Sequence, residues 1–154
     1  MIRAIAFDFD GVLVESVDVK TRAYAYLFKE YGQDVVSKVV DYHMDNGGIS
    51  RFVKLRTIYE KILKKSLSES KLDSLSEQFS SIVVDAVVAA PWVEGAQEFL
   101  KKNKNRYLYF IVSGTPQEEL ELIVQRRRMN QYFCAVLGSP KDKVALFREV
   151  FARL

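Results

Sequence analysis

Three short apolar runs, each closed by small or polar residues, constrain the fold of this chain more than any other feature. They cover residues 2–7, 106–114 and 134–138. Such runs are typical of parallel strands that are buried on both faces of a sheet. Segments with helical periodicity follow each run, and this alternation predicts an open α/β sheet with right-handed connections.

The stretch between the first two runs is predicted to be entirely helical. Apolar residues recur at three- and four-residue intervals through residues 17–90, and Pro91 ends this block. The first helix is expected to reach Gly32 and to place four apolar residues on one face: Val19, Ala23, Tyr26 and Leu27. Further helices are predicted over 93–102, 116–128 and 143–154.

The residues that end the three predicted strands are chemically complementary. DFDG follows the first strand, SGTP the second and GSPKDK the third. Open α/β sheets bind ligands at the carboxyl ends of their strands, so these segments are expected to meet. Two carboxylates suit a hard cation such as Mg²⁺, whereas hydroxyl, backbone N–H and ammonium donors suit phosphoryl oxygens. Together they predict a phosphoryl-transfer site.

Asp8 and Asp10 lie one residue apart at the end of an otherwise apolar run. Burying an unpaired carboxylate costs several kcal/mol, or its pKa shifts until the group is neutral, so both acids need a partner or a chemical role. The alternative is a pair that stabilises the turn at Gly11, which does not account for the matching ends of the other two strands.

With FDFDGVLVES, FIVSGTP and GSPKDK as its first, second and third motifs, the chain resembles the haloacid dehalogenase superfamily of phosphohydrolases over nearly its whole length. Within that superfamily it is similar to phosphoglycolate phosphatases and β-phosphoglucomutases. The resemblance implies a Rossmann-like α/β core with a parallel sheet, formed by residues 1–15 and 91–154, and an inserted all-helical cap at 16–90. It also implies Mg²⁺ as cofactor and a small phosphorylated metabolite as substrate.

The resemblance also implies a role for each motif residue. Asp8 would be the nucleophile that forms an aspartyl-phosphate, and it would bind Mg²⁺ together with the backbone carbonyl of Asp10. The Asp10 side chain would protonate the leaving group and later activate water. Ser113 would hydrogen-bond the transferring phosphoryl group, and a lysine would hold that group and Asp8 in place. Lys143 is preferred to Lys141 for this lysine, because it fits the motif spacing and begins a helix.

The expected substrate contacts are Gly11, Gly114, Thr115 and Arg51. Arg51 belongs to GISR, which resembles the G-x-S-R cap signature of β-phosphoglucomutase relatives. This implies that Arg51, together with Lys54, binds an anionic group on the part of the substrate that does not react. The alternative is that Ser50 caps a helix and Arg51 faces solvent. His43 is interpreted as a helix-surface or partly buried residue outside the catalytic set.

Asp10 favours an oxygen-linked phosphate ester as substrate, because the dehalogenases and phosphonatases of the superfamily lack an acid at that position. A phosphatase and a sugar-phosphate mutase need the same residues, so both activities are left as alternatives.

A fourth, acidic motif that completes the Mg²⁺ site is expected after the third, but the chain ends at Leu154 before it. The core is therefore interpreted as C-terminally truncated, either a fragment or a natural variant. A non-catalytic phosphate-binding or interaction module is a further alternative.

Composition is ordinary for a soluble globular protein, with 49% hydrophobic and 28% charged residues and a net charge of +3 over 154 residues. Basic residues are scattered apart from residues 126–128, so no nucleic acid partner is expected.

Cys134 is interpreted as a small core residue. The N-terminus leaves no room for a signal peptide, and no apolar run is long enough to span a membrane, so a cytoplasmic protein without a membrane partner is expected.

Overall fold

Three parallel strands form one sheet in the computed structural model, which describes residues 2–154. They are β1 (Ala4–Phe7), β2 (Leu108–Pro116) and β3 (Ala135–Ser139), in the order β1-β2-β3. All three apolar runs identified in the sequence are therefore strands. The predicted α/β class and the parallel sheet are confirmed.

Seven α-helices accompany the sheet within the described residues. They are α1 (Val17–Leu27), α2 (Gln33–Asp45), α3 (Arg51–Thr57), α4 (Glu69–Ala89), α5 (Ala96–Asn103), α6 (Gln117–Arg126) and α7 (Lys143–Ala152). A 3₁₀ turn at Lys29–Tyr31 follows α1, and a π-helical turn at Ile58–Ile62 continues α3. The helices between β1 and β2 agree with the periodicity of that stretch. The division into a core and a cap stays a prediction.

Two apolar clusters lie on opposite faces of the sheet. The larger one joins the sheet to the helices between β1 and β2, and it contains Phe79 of α4 and Ile111 of β2, both almost fully buried. In the smaller one, Phe110 and Val112 of β2 pack with Leu146 of α7. Successive residues of β2 thus point to opposite covered faces, which is why this central strand is apolar throughout.

Two side chains that were predicted to be buried lie at the surface. Tyr26 is 57% exposed, whereas Tyr24 is 2% exposed and belongs to the core. The inward face of α1 follows Lys20, Ala23 and Tyr24, at three- and four-residue spacing, and Tyr26 falls outside it. Cys134 is exposed because it precedes β3 instead of lying within it.

The basic cluster at residues 126–128 makes contacts within the fold. Arg127 donates hydrogen bonds to the backbone carbonyls of Val87 at 2.9 Å and Val88 at 2.8 Å, near the end of α4. Arg126 pairs with Asp85 at 2.7 Å. Two of these arginines therefore hold α6 against the end of α4. Within residues 2–154, no helix combines the length and apolar character needed to cross a membrane.

Candidate active site

Asp8 lies directly after β1 and is contacted by the first residue of α7. Nζ of Lys143 is 2.6 Å from Oδ2 of Asp8, and the backbone N–H of Phe9 donates to Oδ1 of Asp8 at 2.8 Å. Asp142 caps α7 by accepting a hydrogen bond from the backbone N–H of Ala145 at 2.8 Å. This cap begins the helix at Lys143, the residue that faces Asp8.

The two lysines of the third motif have different partners. Lys143 contacts Asp8 from the other end of the sequence, 135 positions away. Lys141 forms an ion pair with Glu149 on α7, and its side chain is 60% exposed. Lys143 is therefore the lysine that can hold Asp8 in place.

Asp10 is held by three side-chain donors. Oγ of Ser16 donates to Oδ1 at 2.5 Å, and Nζ of Lys20 donates to Oδ2 at 2.6 Å. Oγ1 of Thr115 donates to Oδ2 at 3.3 Å. Burial raises the pKa of Asp10, but the Lys20 ammonium and these hydrogen bonds outweigh burial and hold the pKa below its ordinary value. Asp10 is thus a carboxylate at neutral pH, with its charge balanced by Lys20.

The end of β2 is joined to Asp10 through Thr115. Nζ of Lys20 donates to Oγ1 of Thr115 at 2.7 Å, so this lysine bridges the two strand ends. Ser113 is 1% exposed, and its Oγ accepts the backbone N–H of Thr115 at 3.1 Å. Among the hydrogen bonds of the described chain, none joins Ser113 to Asp8. Its predicted contact with a phosphoryl group stays a prediction.

The loop at residues 47–50, between α2 and α3, lies over the acid pair. A Cβ on Gly48, where φ is +77°, would be 2.6 Å from Nζ of Lys143 and 3.1 Å from Oδ2 of Asp8. A Cβ on Gly114 would be 2.7 Å from the carbonyl oxygen of Ile49. A side chain at Gly114 would meet backbone, whereas one at Gly48 would displace the Lys143 ammonium and is disfavoured by the positive φ. The helical insert therefore lies closed against the strand ends.

Arg51 begins α3, and its guanidinium is engaged by the protein itself. Nη2 lies 2.7 Å from Oε1 of Glu119 on α6, and Nη1 donates to Oγ of Ser80 at 2.8 Å. Burial raises the pKa of Glu119, but its contacts with Arg51 outweigh burial and hold the pKa below its ordinary value. Arg51 is 4% exposed, so the alternative in which it faces solvent is wrong. Ser50 takes the N-cap position without a side-chain capping bond.

A cavity of about 110 Å³ lies between the loop, the helices of the insert and the strand ends. Asp10, Gly114 and Thr115 line it on the sheet side, and four basic side chains line it elsewhere: Lys20, His43, Arg51 and Lys54. Gly11 forms the turn after Asp10 and does not line this cavity.

Three contacts at this site were not predicted from the sequence. They involve Lys20, Glu119 and the pairing of His43 with Lys54. A signal for Lys20 exists, because Ser16 and Lys20 are four residues apart at the start of α1, a spacing that puts both on the side of Asp10. Glu119 carries no comparable signal, since only the packing of α3 against α6 makes it the partner of Arg51.

The chemistry of the strand ends fits a magnesium ion in part. The ligands expected from the resemblance are two oxygens, one from the carboxylate of Asp8 and one from the backbone carbonyl of Asp10. Within residues 2–154, no three acidic, histidine or cysteine side chains cluster as a metal site. Magnesium is commonly bound by one or two carboxylates and completes its shell with water and substrate phosphate. The residues present suit that mode of binding.

Comparisons with known proteins agree with this geometry. The family model for haloacid dehalogenase-like hydrolases matches residues 5–144. The phosphorylated carbohydrates phosphatase of Thermotoga maritima is 24% identical over 132 residues, which cover 86% of this chain and 59% of that protein. This chain thus spans less than two thirds of the length of that relative.

Solved structures share the fold. A β-phosphoglucomutase from Clostridium difficile matches with a TM-score of 0.73 and 23% identity, over 93% of this chain and 64% of that one. A HAD-hydrolase structure from Bacillus subtilis bound to magnesium matches with a TM-score of 0.67 and 15% identity, over 99% and 74% of the two chains. At these identities the similarity establishes the fold alone. Because the family match includes all three motifs and most of the sequence, this chain belongs to the family of haloacid dehalogenase-like hydrolases.

Proposed function

We propose that this chain acts as a Mg²⁺-dependent phosphatase, which hydrolyses a small phosphorylated metabolite through an aspartyl-phosphate on Asp8. The contact of 2.6 Å between Lys143 and Asp8 carries the proposal. It places a positive charge beside a carboxylate at a strand end, where a phosphoryl group would meet its nucleophile. The similarity to a phosphatase of phosphorylated carbohydrates supports a phosphate ester as substrate.

In the first step, a carboxylate oxygen of Asp8 attacks phosphorus and the bond to the leaving oxygen breaks. Lys143 balances the charge on the phosphoryl oxygens, and Asp10, when protonated, gives its proton to the leaving oxygen. In the second step, Asp10 as a carboxylate takes a proton from water as that water attacks phosphorus, so that phosphate leaves and Asp8 is restored. The pairing of Lys20 with Asp10 favours the carboxylate form that this second step needs.

The magnesium site is part of this proposal. Asp8 and the backbone carbonyl of Asp10 would hold the ion, with water and phosphate as its other ligands. Bound magnesium supplies positive charge beside the phosphoryl oxygens, in addition to that of Lys143.

The loop at 47–50 is proposed to open and close over the site. A Cβ on Gly48 would lie 3.1 Å from Oδ2 of Asp8, so the loop is close to the oxygen that a phosphoryl group must meet, and we propose that it moves aside for substrate entry. Closure after substrate entry would exclude water that does not take part in the reaction.

The test is hydrolysis of p-nitrophenyl phosphate by the folded 154-residue chain, with Mg²⁺ and with EDTA. Turnover should require Mg²⁺, and Asp8→Asn should abolish it, because an amide does not act as the nucleophile. Asp73→Asn, at an exposed position of α4, is the matched control and should retain activity. Undiminished activity of Asp8→Asn would contradict the covalent mechanism. A folded wild-type chain without turnover would favour the non-catalytic alternative.

A further inference from the structure

Asn46 and Gly47 join the end of α2 to the loop at residues 47–50, and this pair of residues has a chemistry of its own. The side-chain amide of an asparagine can be attacked by the backbone nitrogen of the next residue. The attack is fastest when that residue is glycine, because glycine has no side chain to obstruct the approach. Only one of the four asparagines of the chain, Asn46, precedes a glycine; the others are Asn103, Asn105 and Asn130.

We propose that Asn46 is a site of spontaneous deamidation, and that its products open the loop over the candidate active site. The backbone nitrogen of Gly47 loses its proton and bonds to Cγ of Asn46, the bond from Cγ to Nδ2 breaks, and ammonia leaves with that proton. The product is a cyclic succinimide. Water then adds to either of its two carbonyls, and the ring opens to aspartate or to isoaspartate, whose backbone contains one additional carbon atom.

The surroundings of Gly47 leave the attacking nitrogen accessible. Gly47 is exposed, and a Cβ built on it would meet no atom within 4 Å. Among the loop and turn hydrogen bonds of residues 2–154, none uses its N–H group. Asn46 itself lies just outside α2, with φ −121° and ψ 45°, so its rotation into the attacking geometry does not require the helix to unwind.

One hydrogen bond holds the Asn46 side chain away from Gly47. Nδ2 of Asn46 donates to the backbone carbonyl of Tyr42 at 2.8 Å. A neutral hydrogen bond at a partly exposed position contributes little net stability, because water replaces it when it breaks. The structure therefore slows the reaction at Asn46 but does not prevent it.

Both products weaken the end of α2. The Asn46 amide satisfies a carbonyl in the last turn of this helix, and a carboxylate has no proton to donate there. The new carboxylate also places a negative charge at the negative end of the helix dipole. Isoaspartate has a further effect, since it lengthens the backbone directly before Gly47 and Gly48.

The loop that follows Asn46 is packed closely against the strand ends. A Cβ on Gly114 would be 2.7 Å from the carbonyl oxygen of Ile49 and 2.8 Å from that of Gly48. Because close-packed backbone does not absorb an additional carbon atom in place, isoaspartate should displace the loop. A loss of turnover with age would follow. That loss rests on the proposed function, whereas the covalent change at Asn46 does not.

The test is storage of the full chain at mildly alkaline pH, with circular dichroism to show that it stays folded and peptide mapping by mass spectrometry over several weeks. The peptide that contains Asn46 should gain the mass difference between an amide and an acid. The other three asparagines should react roughly tenfold more slowly or less, because the next residue carries a side chain. Labelling by an isoaspartyl methyltransferase detects isoaspartate. Reaction at Asn46 no faster than at the other asparagines would overturn the inference.

Two variants separate the chemistry from its consequence. Gly47→Ala should slow the mass gain at Asn46 roughly tenfold, since its methyl group hinders the attack. An unchanged rate in this variant would contradict the succinimide route. Asn46→Asp reproduces the aspartate product and should melt at a lower temperature than the wild type. An unchanged melting temperature would contradict the role assigned to the Asn46 amide at the end of α2.

The consequence for the loop has two independent measurements. Turnover of an aryl phosphate by the stored wild type should fall in step with its isoaspartate fraction, and hydrogen exchange at residues 47–50 should become faster. Complete modification that changes neither would overturn the link to the loop. A fresh chain without Mg²⁺-dependent turnover would contradict the proposed function alone, because mass mapping and hydrogen exchange still decide the inference.

Discussion

Arg51 of α3 and Glu119 of α6 form an ion pair of 2.7 Å in which each side chain is only 4% exposed. The two residues are 68 positions apart, so the pair joins the helical insert to the helix that follows β2. The ring of Phe79 lies 4.3 Å from the guanidinium and covers it. This contact ties the insert to α6 on the side of the cavity.

Breaking this pair on one side should destabilise the protein strongly. Arg51→Met would leave the Glu119 carboxylate buried without its cation, and the free energy of unfolding should fall by about 3–5 kcal/mol. Replacing both residues by methionine should recover most of the loss, because no buried charge remains. Urea denaturation measures both.

The exposed pair of Arg56 with Glu69 is the matched control for this experiment. Its side chains are 49% and 77% exposed, so Arg56→Met should cost no more than about 1 kcal/mol. A double methionine variant of Arg51 and Glu119 as unstable as either single variant would show that packing, and not charge, dominates at the buried pair.

Replacement of Gly47 or Gly48, the two adjacent glycines of the loop, by alanine should change turnover to different extents. Gly48→Ala would bring a methyl group to 2.6 Å from Nζ of Lys143, and its φ of +77° disfavours alanine, so turnover should fall at least tenfold. Gly47→Ala has no neighbouring atom within 4 Å and should change turnover less than twofold. Steady-state kinetics on an aryl phosphate compares them. Equal activity of the two variants would argue against closure of the loop onto Asp8.

Replacement of either lysine of the third motif by methionine should affect turnover to a different extent. Lys143→Met removes the charge that contacts Asp8, and turnover should drop by about two to three orders of magnitude, as is usual when a group that stabilises developing charge is lost. Lys141→Met breaks only an exposed pair with Glu149 and should leave turnover within twofold. A larger loss with Lys141→Met would reassign the role.

The buried ammonium of Lys54 should make stability depend on pH in a defined window. Its pKa is about 8 in the folded protein, against an ordinary value of 10.5, so the unfolded chain binds the proton more tightly. The resulting penalty, about 3 kcal/mol, is fully present below pH 8 and disappears as the pH rises towards 10.5.

Comparison of the wild type with Lys54→Met isolates this contribution. The methionine variant should be the more stable one at pH 7, and its advantage should shrink steadily between pH 8 and pH 10. Chemical denaturation at several pH values measures the difference. An advantage that stays constant over this range would mean that Lys54 is not a buried charge.

Much of the fold was predictable because it depends on local patterns. The apolar runs became β1, β2 and β3, and the helical periodicities became helices, with errors mainly at their ends. The helix predicted to reach Gly32, for example, ends at Leu27 and is followed by a 3₁₀ turn. Periodicity shows which residues share a face, but it fixes the end of an element less well.

The sequence predicted the part of the candidate site that forms where the carboxyl ends of the parallel strands meet. Asp8 and Lys143 follow β1 and β3, two strands of one parallel sheet, and this was enough to expect them together, since parallel strands bring their carboxyl ends to one edge of the sheet. The partners of Arg51 and Lys54 were not predictable in this way. Both residues lie on α3, and their environment depends on how the insert packs against the rest of the protein.

The sequence by itself thus determined the order of strands and helices, the family and the motif residues at the strand ends, because these follow from local apolar patterns and short motifs. Only the tertiary structure decided which charges are balanced. It paired Arg51 with Glu119 and left Lys54 beside His43, with no carboxylate of residues 2–154 within ion-pair distance. The physical reason is that the energy of a charge depends on burial and on partners distant in sequence, and both are set by packing.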